Sequence, residues 1–318
     1  MNLTLLYYKF FCVMQWNIGF CTGDIHQIIR DKKFGLSFKW LPQIDDSNSQ
    51  ADPFIFKSSD GKLNLLYEDF SMSDPSKYGK IFLAEIDKNF ATISSKQILD
   101  TKKHSSYPFI FVEDNITYII PETGALNKVS AYMYDKENNT LGIEKILVKD
   151  LPLLDASVLK HNNKYWIFAT SRGKGLADSQ LFIYYADSFF GDYKPHANNP
   201  VKNNLDGSRP AGNFIKVDGE IYRPTQNCGL YYGSSITINK INKLTENEFE
   251  EECYFKIEPD KNSAFKGGVH TINVAEDIIV IDGIKMLFKP VKKWKLFFDK
   301  RRKKKSIHSL TRKYEQAI

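Results

Sequence analysis

A chain of 318 residues, 42% hydrophobic and 14% aromatic, can bury a large core, which excludes a disordered or fibrous protein. Its four cysteines (Cys12, Cys21, Cys228, Cys253) form no CxxC pair and no cluster with histidine, so no zinc site or disulfide framework is indicated and a reducing, cytoplasmic setting fits best. The net charge of +6 is unevenly held: from Lys285 onward thirteen basic residues face only Asp299 and Glu315, and the remaining 31 basic and 36 acidic residues leave the body at −5.

Taken in chain order, the first segment is the apolar run "MNLTLLYYKFFCVMQWNIGF". Lys9 and Asn17 interrupt it, and neither a basic n-region nor a small-residue cleavage site accompanies it, so it predicts buried strands rather than a leader or a membrane span. Five copies of one strand pair follow at intervals of roughly fifty to sixty residues. They read "DPFIFKSSDGKLNLLYEDF" from Asp52, "YPFIFVEDNITYIIPET" from Tyr107, "DASVLKHNNKYWIFATS" from Asp155, "RPAGNFIKVDGEIYRPTQN" from Arg209 and "GVHTINVAEDIIVIDG" from Gly268. The turns "SSDGK", "EDN", "HNNK" and "VDGE" suit tight hairpins, because Asp, Asn and Gly tolerate positive φ. Each hairpin is followed by another strand-like stretch, "GKIFLAEID", "NKVSAYMYD", "SQLFIYYAD", "GSSITINKI" and "IKMLFKPVKKW", with "SSKQILD" and "IEKILVKD" as outer strands for some units.

Three or four strands per unit at this period predict an all-β fold, a five-bladed β-propeller over residues 1–288, whose radial closure removes exposed sheet edges. A large sandwich or two small β domains are the alternatives. The "WNIGF" segment is placed to pair with the last blade and close the ring. Residues 289–318 form a short basic, helical tail.

In a propeller the start of each inner strand points toward a shared mouth, and here those starts are Asp52, Tyr107, Asp155, Arg209 and His270. Two carboxylates from opposing blades are what acid/base work at a glycosidic bond requires, which makes Asp52 and Asp155 catalytic candidates. Each is equally suited to capping its own turn. His270, whose ordinary pKa lies near neutrality, suits an acid, a base or a donor to a sugar hydroxyl. Tyr107, Trp166, Gln226 and Tyr232 would suit a sugar site, with amide and hydroxyl groups for the ring hydroxyls and an aromatic face beneath. Mid-strand aromatics such as Phe54, Phe56 and Trp166 read foremost as core. No P-loop, GxGxxG turn or metal-ligating cluster is found, so no cofactor or metal is expected.

The starts "ADPFIF", "YPFIF", "DASVLKHNNKYWIFAT" and "GVHTIN" resemble the blades of glycoside hydrolase family 43, five-bladed propellers acting on furanosides and pentosides. That resemblance implies a general base at Asp52, an acid-tuning carboxylate at Asp155, and a proton-donating Glu in the fourth blade, where this chain has Arg209. Over roughly Trp16 to Gly283, the set "ADPF", "SYPF" with "IPE", "DASV", "SRPAG", "QNC" with "YG", and "GVHTIN" is more similar to the N-terminal propeller domain of glucosamine inositolphosphorylceramide transferases. Asn227 of "QNC" stands where that pattern has an Asp.

An arginine cannot donate a proton to a leaving alkoxide, so Arg209 argues against ordinary hydrolysis at that position. Its guanidinium suits the phosphate of a nucleotide- or lipid-phosphate-linked sugar. It suits equally well an ion pair with Asp155 or Glu122 across the channel. Glu122, in "IPET", is the one obvious replacement acid. The tail sets Trp294, Leu296, Phe297 and Phe298 among dense Lys and Arg, a pattern for an anionic membrane surface through residues 289–313, for a solvated tail or, less favoured, for nucleic acid. The sequence thus predicts a carbohydrate-active, cytoplasmic, peripheral membrane protein acting on a sugar or glycan substrate in surface polysaccharide or glycolipid biosynthesis, by glycosyl transfer from an anionic activated donor. A family 43 type hydrolase with a displaced acid, and a non-catalytic glycan-binding module serving a separate transferase partner, are its rivals.

Overall fold

The computed structural model describes residues 3–43, 45, 47–58, 61–71, 78–172 and 177–299. The chain opens with helix α1 (Leu3–Phe11), strand β1 (Cys12–Thr22), helix α2 (Ile25–Asp31) and the short strand β2 (Lys39–Trp40). Blade 1 is β3 (Asn48–Lys57), β4 (Leu63–Ser71), β5 (Lys80–Ile86) and β6 (Thr92–Leu99); blade 2 is β7 (Ser106–Glu113), β8 (Ile116–Glu122), β9 (Lys128–Asp135) and β10 (Thr140–Lys149). Blade 3 is β11 (Leu153–His161), β12 (Lys164–Ser171) and β13 (Gln180–Ala186), edged by the two-residue strands β14 (Lys194–Pro195) and β15 (Lys202–Asn203). Blade 4 is β16 (Ile215–Val217), β17 (Glu220–Asn227), β18 (Ser235–Leu244) and β19 (Phe249–Ile257). Blade 5 joins the two ends of the chain in the order β2, β1, β21 (Ile278–Phe288), β20 (Ile272–Ala275).

The five-bladed propeller is therefore present, and the ring is closed by eleven residue pairs, from Cys12 opposite Phe288 to Thr22 opposite Ile278. Sequence burial explains the layering. Middle strands packed on both faces are near-continuously apolar, as in Ile119-Ile120 of β8 or Leu65-Leu66 of β4, whereas the outer β6 reads Thr-Ile-Ser-Ser-Lys-Gln and is exposed over those six residues. Interblade cores fill the wedges; one joins Phe54, Tyr107, Ile119 and Ile167 from blades 1 to 3, and another joins Ile238, Ile272 and Ile281 from blades 4 and 5. The predicted tight turns carry positive φ at both central residues, at Asp114-Asn115, Asn162-Asn163 and Asp218-Gly219. The first-blade turn includes residues 59–60, which lie outside the described residues. The four cysteines are free, three of them buried.

Three expectations are corrected. The N-terminal run is not all strand: residues 3–11 are helical with no buried residue, because nothing packs over them as a further sheet layer, and the strand begins at Cys12. "IKMLFKPVKKW" is not a separate strand; Ile284–Phe288 extend β21, whose outer partner is β1, and Pro290 starts a helix, α3, over residues 290–299, a favoured place for proline. The inner strand of blade 4 starts at Ile215, so Arg209 precedes it in a loop joined to β17 by the Pro210–Thr225 bridge. Residues 300–318 of the expected tail lie outside the described residues.

Candidate active site

The mouth is organised by a repeated backbone device. In blades 1, 2 and 3 the register slips at the start of the inner strand, between Ala51 and Phe54, Ser106 and Phe109, and Leu154 and Ser157. The bulged residue has positive φ each time: Asp52 at 52°, Tyr107 at 43° and Asp155 at 52°. Such backbone costs about 1–3 kcal/mol at a non-glycine residue and clusters at functional sites. By the same pairing, the residue after the Pro210–Thr225 bridge is Ala211, so Arg209 is two places out of the repeat and reaches the mouth from outside it.

Four of the predicted catalytic residues meet in one buried layer with groups the sequence reading did not single out. His270 Nδ1 lies 2.5 Å from Asp282 Oδ2, while its Nε2 faces Asp52 Oδ1 at 3.7 Å. Asp282 also accepts from the backbone N–H groups of His270 and Thr271, and of Asp52. Asp52 accepts from the Thr271 hydroxyl at 2.9 Å and from the N–H of Tyr107 at 3.2 Å. The imidazole stacks on Trp16, with ring centres 3.9 Å apart, and Tyr232 meets it edge-on.

Arg209 sits against the other wall. Its Nε and Nη2 donate to the two oxygens of Asp155 at 2.6 and 3.3 Å, and Nη1 donates to Asp178 at 2.8 Å. Glu122, the fifth predicted residue, is 3.8 Å from Arg209 and 3.3 Å from Arg172, and accepts from Ser106. Gln226 donates to Asp155 at 2.8 Å. The Arg209 guanidinium lies 5.1 Å over the Tyr232 ring. Behind this wall, Arg223 grips Glu251 and donates to the carbonyls of Gly207 and Ser208, which fixes the loop that carries Arg209.

Burial separates the acids. Burial pushes Asp52 up to about 6, with His270 opposing and Asp155 and Asp282 reinforcing. Burial pushes Glu122 up to about 8, reinforced by Asp155 and opposed by Arg209 and Arg172. Glu68, which faces His104 at 3.6 Å, is also held well above the usual carboxylate range, by burial first and then by Asp52, Glu122 and Asp155 around it. Burial alone would lower His270, but Asp282 and Asp52 outweigh it and raise it. At neutral pH the layer thus holds an ionised Asp52 and a protonated Glu122.

Two predicted sugar contacts are corrected. Tyr107 is fully buried: its hydroxyl bonds Ser157 and Gly212, and its ring packs edge-on to Phe54, so it plugs the channel beneath the polar layer. Trp166 lies in the core between blades 3 and 4, and its Nε1 donates to the carbonyl of His161 at the hairpin end of the blade, away from Asp155. Gln226 is buried too and acts through Asp155. Tyr232 alone of the four is half-buried at the mouth. The missed carboxylates had a signal: Glu68 in "YEDF" and Asp282 in "VIDG" follow the apolar run of a second strand as Glu122 in "IPET" does, and Glu68 and Glu122 sit opposite Ala51 and Ser106, just before the bulges. Asp52, His270 and Asp282 also bring one ligand atom each within 4.8 Å of one another, the spacing of a cation site, which closeness along the chain could not reveal. In this arrangement their donors and acceptors are directed at each other.

Residues 43–278 match the family model described as glucosamine inositolphosphorylceramide transferase 1, N-terminal. Among curated proteins, the chain is 32% identical over 222 residues to glucosamine inositolphosphorylceramide transferase 1 of Arabidopsis thaliana, covering 68% of this chain and 28% of that one. It is 33% identical over 210 residues to the protein of that name from Oryza sativa subsp. japonica, covering 64% and 28%. The chain thus spans little more than a quarter of the length of the curated relatives it matches. Among solved structures, the catalytic domain of the Coprinopsis cinerea GH62 α-L-arabinofuranosidase aligns with a TM-score of 0.55 at 10% identity, over 74% of this chain and 80% of that one. An exo-β-1,3-galactanase from Clostridium thermocellum aligns with a TM-score of 0.52 at 14% identity, over 69% and 54%. These two likenesses concern the fold alone.

Proposed function

The chain belongs to the family of the N-terminal region of glucosamine inositolphosphorylceramide transferase 1, and from that premise we propose that its mouth is a glycosyl-transfer site working in glycolipid or surface polysaccharide synthesis. The observation that carries the reading is the opposite readiness of two buried acids in one layer. Asp52, ionised above about 6, accepts the proton of an acceptor hydroxyl; Glu122, protonated below about 8, gives its proton to the departing oxygen. His270, held by Asp282, faces Asp52 and favours its charged form. Asp155 is the positioning residue that holds Arg209. Arg172, whose side chain is 43% exposed, is the cation best placed to meet a phosphate on the incoming sugar, because the donors of Arg209 are already taken by Asp155 and Asp178.

The engagement of Arg209 also favours a second reading, in which water replaces the acceptor and the same acid and base hydrolyse a neutral glycoside. One set of assays separates them: the full chain is incubated with nucleotide sugars or lipid-phosphate sugars plus acceptor, and in parallel with neutral furanosides. Transfer from an activated donor, lost in Asp52→Asn with an unchanged circular dichroism spectrum and weakened in Arg172→Gln, supports transfer. Release of free sugar from a neutral glycoside supports hydrolysis. No turnover of any of these, with glycan binding indifferent to Asp52→Asn, would overturn both and leave a binding module.

A further inference from the structure

The two ends of the chain come together in a feature that the mouth chemistry does not use. Helix α1 buries none of its residues, and its Tyr7 stacks on Phe288 with ring centres 5.9 Å apart and planes 4° apart. Phe10 stacks on Trp294 of α3 at 6.0 Å, and the N–H of Lys289 donates to the carbonyl of Phe11. The two helices thus form one plate, whose aromatics Tyr7, Phe10, Phe288, Trp294, Phe297 and Phe298 are between 39% and 61% exposed, with Val291 at 83% beside them. Lys289, Lys292 and Lys295 line an open groove of about 830 Å³ along it. The sequence continues past Asp299 into Lys300-Arg301-Arg302-Lys303-Lys304-Lys305.

The plate has a fixed relation to the mouth. Strand β21 turns from β20 at its far end, passes Asp282 at the mouth and runs six residues further to Phe288, while β1 starts opposite it at Cys12. At about 3.3 Å per residue, both helices spring from a point about 20 Å beyond Asp282, on the mouth side of blade 5.

We propose that this plate is the docking surface for an anionic phospholipid bilayer, and that it holds the mouth toward the lipid headgroups. The occupant follows from the chemistry: half-exposed aromatic rings suit the headgroup boundary, and a concentrated basic run beside a body of net −5 is complementary to an anionic surface. No helix among the described residues is long and apolar enough to cross a membrane. Docked this way, the substrate is a headgroup presented by the bilayer, a clause that rests on the glycosyl-transfer reading; the docking itself does not.

The test is co-sedimentation of the full chain with vesicles of phosphatidylcholine alone or mixed with phosphatidylserine. The parent is expected to bind the mixed vesicles, weakly to ignore the neutral ones, and to be released by salt. Lys289→Gln, Lys292→Gln and Lys295→Gln together should weaken binding about a hundredfold, since each basic residue at an anionic surface contributes roughly fivefold. Phe10→Ser should also weaken it, because α1 is half of the plate. Unchanged thermal unfolding of each variant shows that the fold is kept. Failure of the parent to bind the mixed vesicles, binding indifferent to Phe10→Ser, or a parent dimer that Phe10→Ser and Trp294→Ser turn into monomer would each overturn the proposal. Asp52→Asn is expected to bind vesicles like the parent, which separates failure of docking from failure of the chemistry.

Discussion

Glu122→Gln gives the sharpest check on the electrostatics of the mouth. In the unfolded chain Glu122 loses its proton near its ordinary value of 4.5; in the folded chain burial holds the proton up to about 8. Between those values the folded state binds more protons, so this group lowers stability as pH rises through the window, by about 1.4 kcal/mol per pH unit and about 5 kcal/mol in all. Part of that uptake is shared within the carboxylate cluster, so about 3 kcal/mol is the working expectation for Glu122 itself. Glutamine mimics the protonated acid, its carbonyl can still accept from Ser106, and Arg209 keeps Asp155 and Asp178. Chemical denaturation of parent and variant at about pH 5 and about pH 8.5 should therefore find near-equal stability at the lower pH and a variant about 3 kcal/mol more stable at the higher one. The same variant should lose turnover, because glutamine has no proton to give. A difference that does not change with pH, or a variant less stable at high pH, would mean that Arg172 and Arg209 hold Glu122 ionised, and the acid role would fall with it.

Three other outcomes follow from particular contacts. Arg209→Ala leaves Asp155, 1% exposed, without its bidentate partner, and should cost about 3–5 kcal/mol in denaturant unfolding; a loss below about 1 kcal/mol would show that Gln226 alone satisfies the carboxylate. Trp166→Ala should cost a similar 3–5 kcal/mol through the cavity left between blades 3 and 4, while ligand affinity of the folded fraction, measured by calorimetry, stays at the parent value. Gly212→Ala places a Cβ 1.9 Å from the carbonyl of Ile272 at a φ of 132°, so thermal unfolding should register a loss of at least about 1–3 kcal/mol; an unchanged midpoint would mean that blades 4 and 5 separate freely there.

The architecture was legible in the sequence because it rests on local patterns repeated five times. The hairpin turns at Asp114-Asn115, Asn162-Asn163 and Asp218-Gly219, the apolar middle strands and the polar outer ones each follow from residue types a few positions apart. That Asp52, Asp155 and His270 face one mouth was legible for the same reason, as recurrent starts of inner strands, whereas Glu122 stood out only as an acid at a strand end. Tertiary structure decided what chain separation hides. Asp282 reaches Asp52 across 230 residues, and of the two readings of Arg209, a phosphate site or an ion pair across the channel, the structure has the pair with Asp155. Trp166 lies in the core, the reading favoured for a mid-strand aromatic, and Tyr107 reads as a sugar contact because a sequence does not say whether an aromatic residue at a strand start is covered. The plate of α1 and α3 exists only because β1 and β21 pair from opposite ends of the chain, joining a hydrophobic start and a basic finish that are about as far apart as this sequence allows.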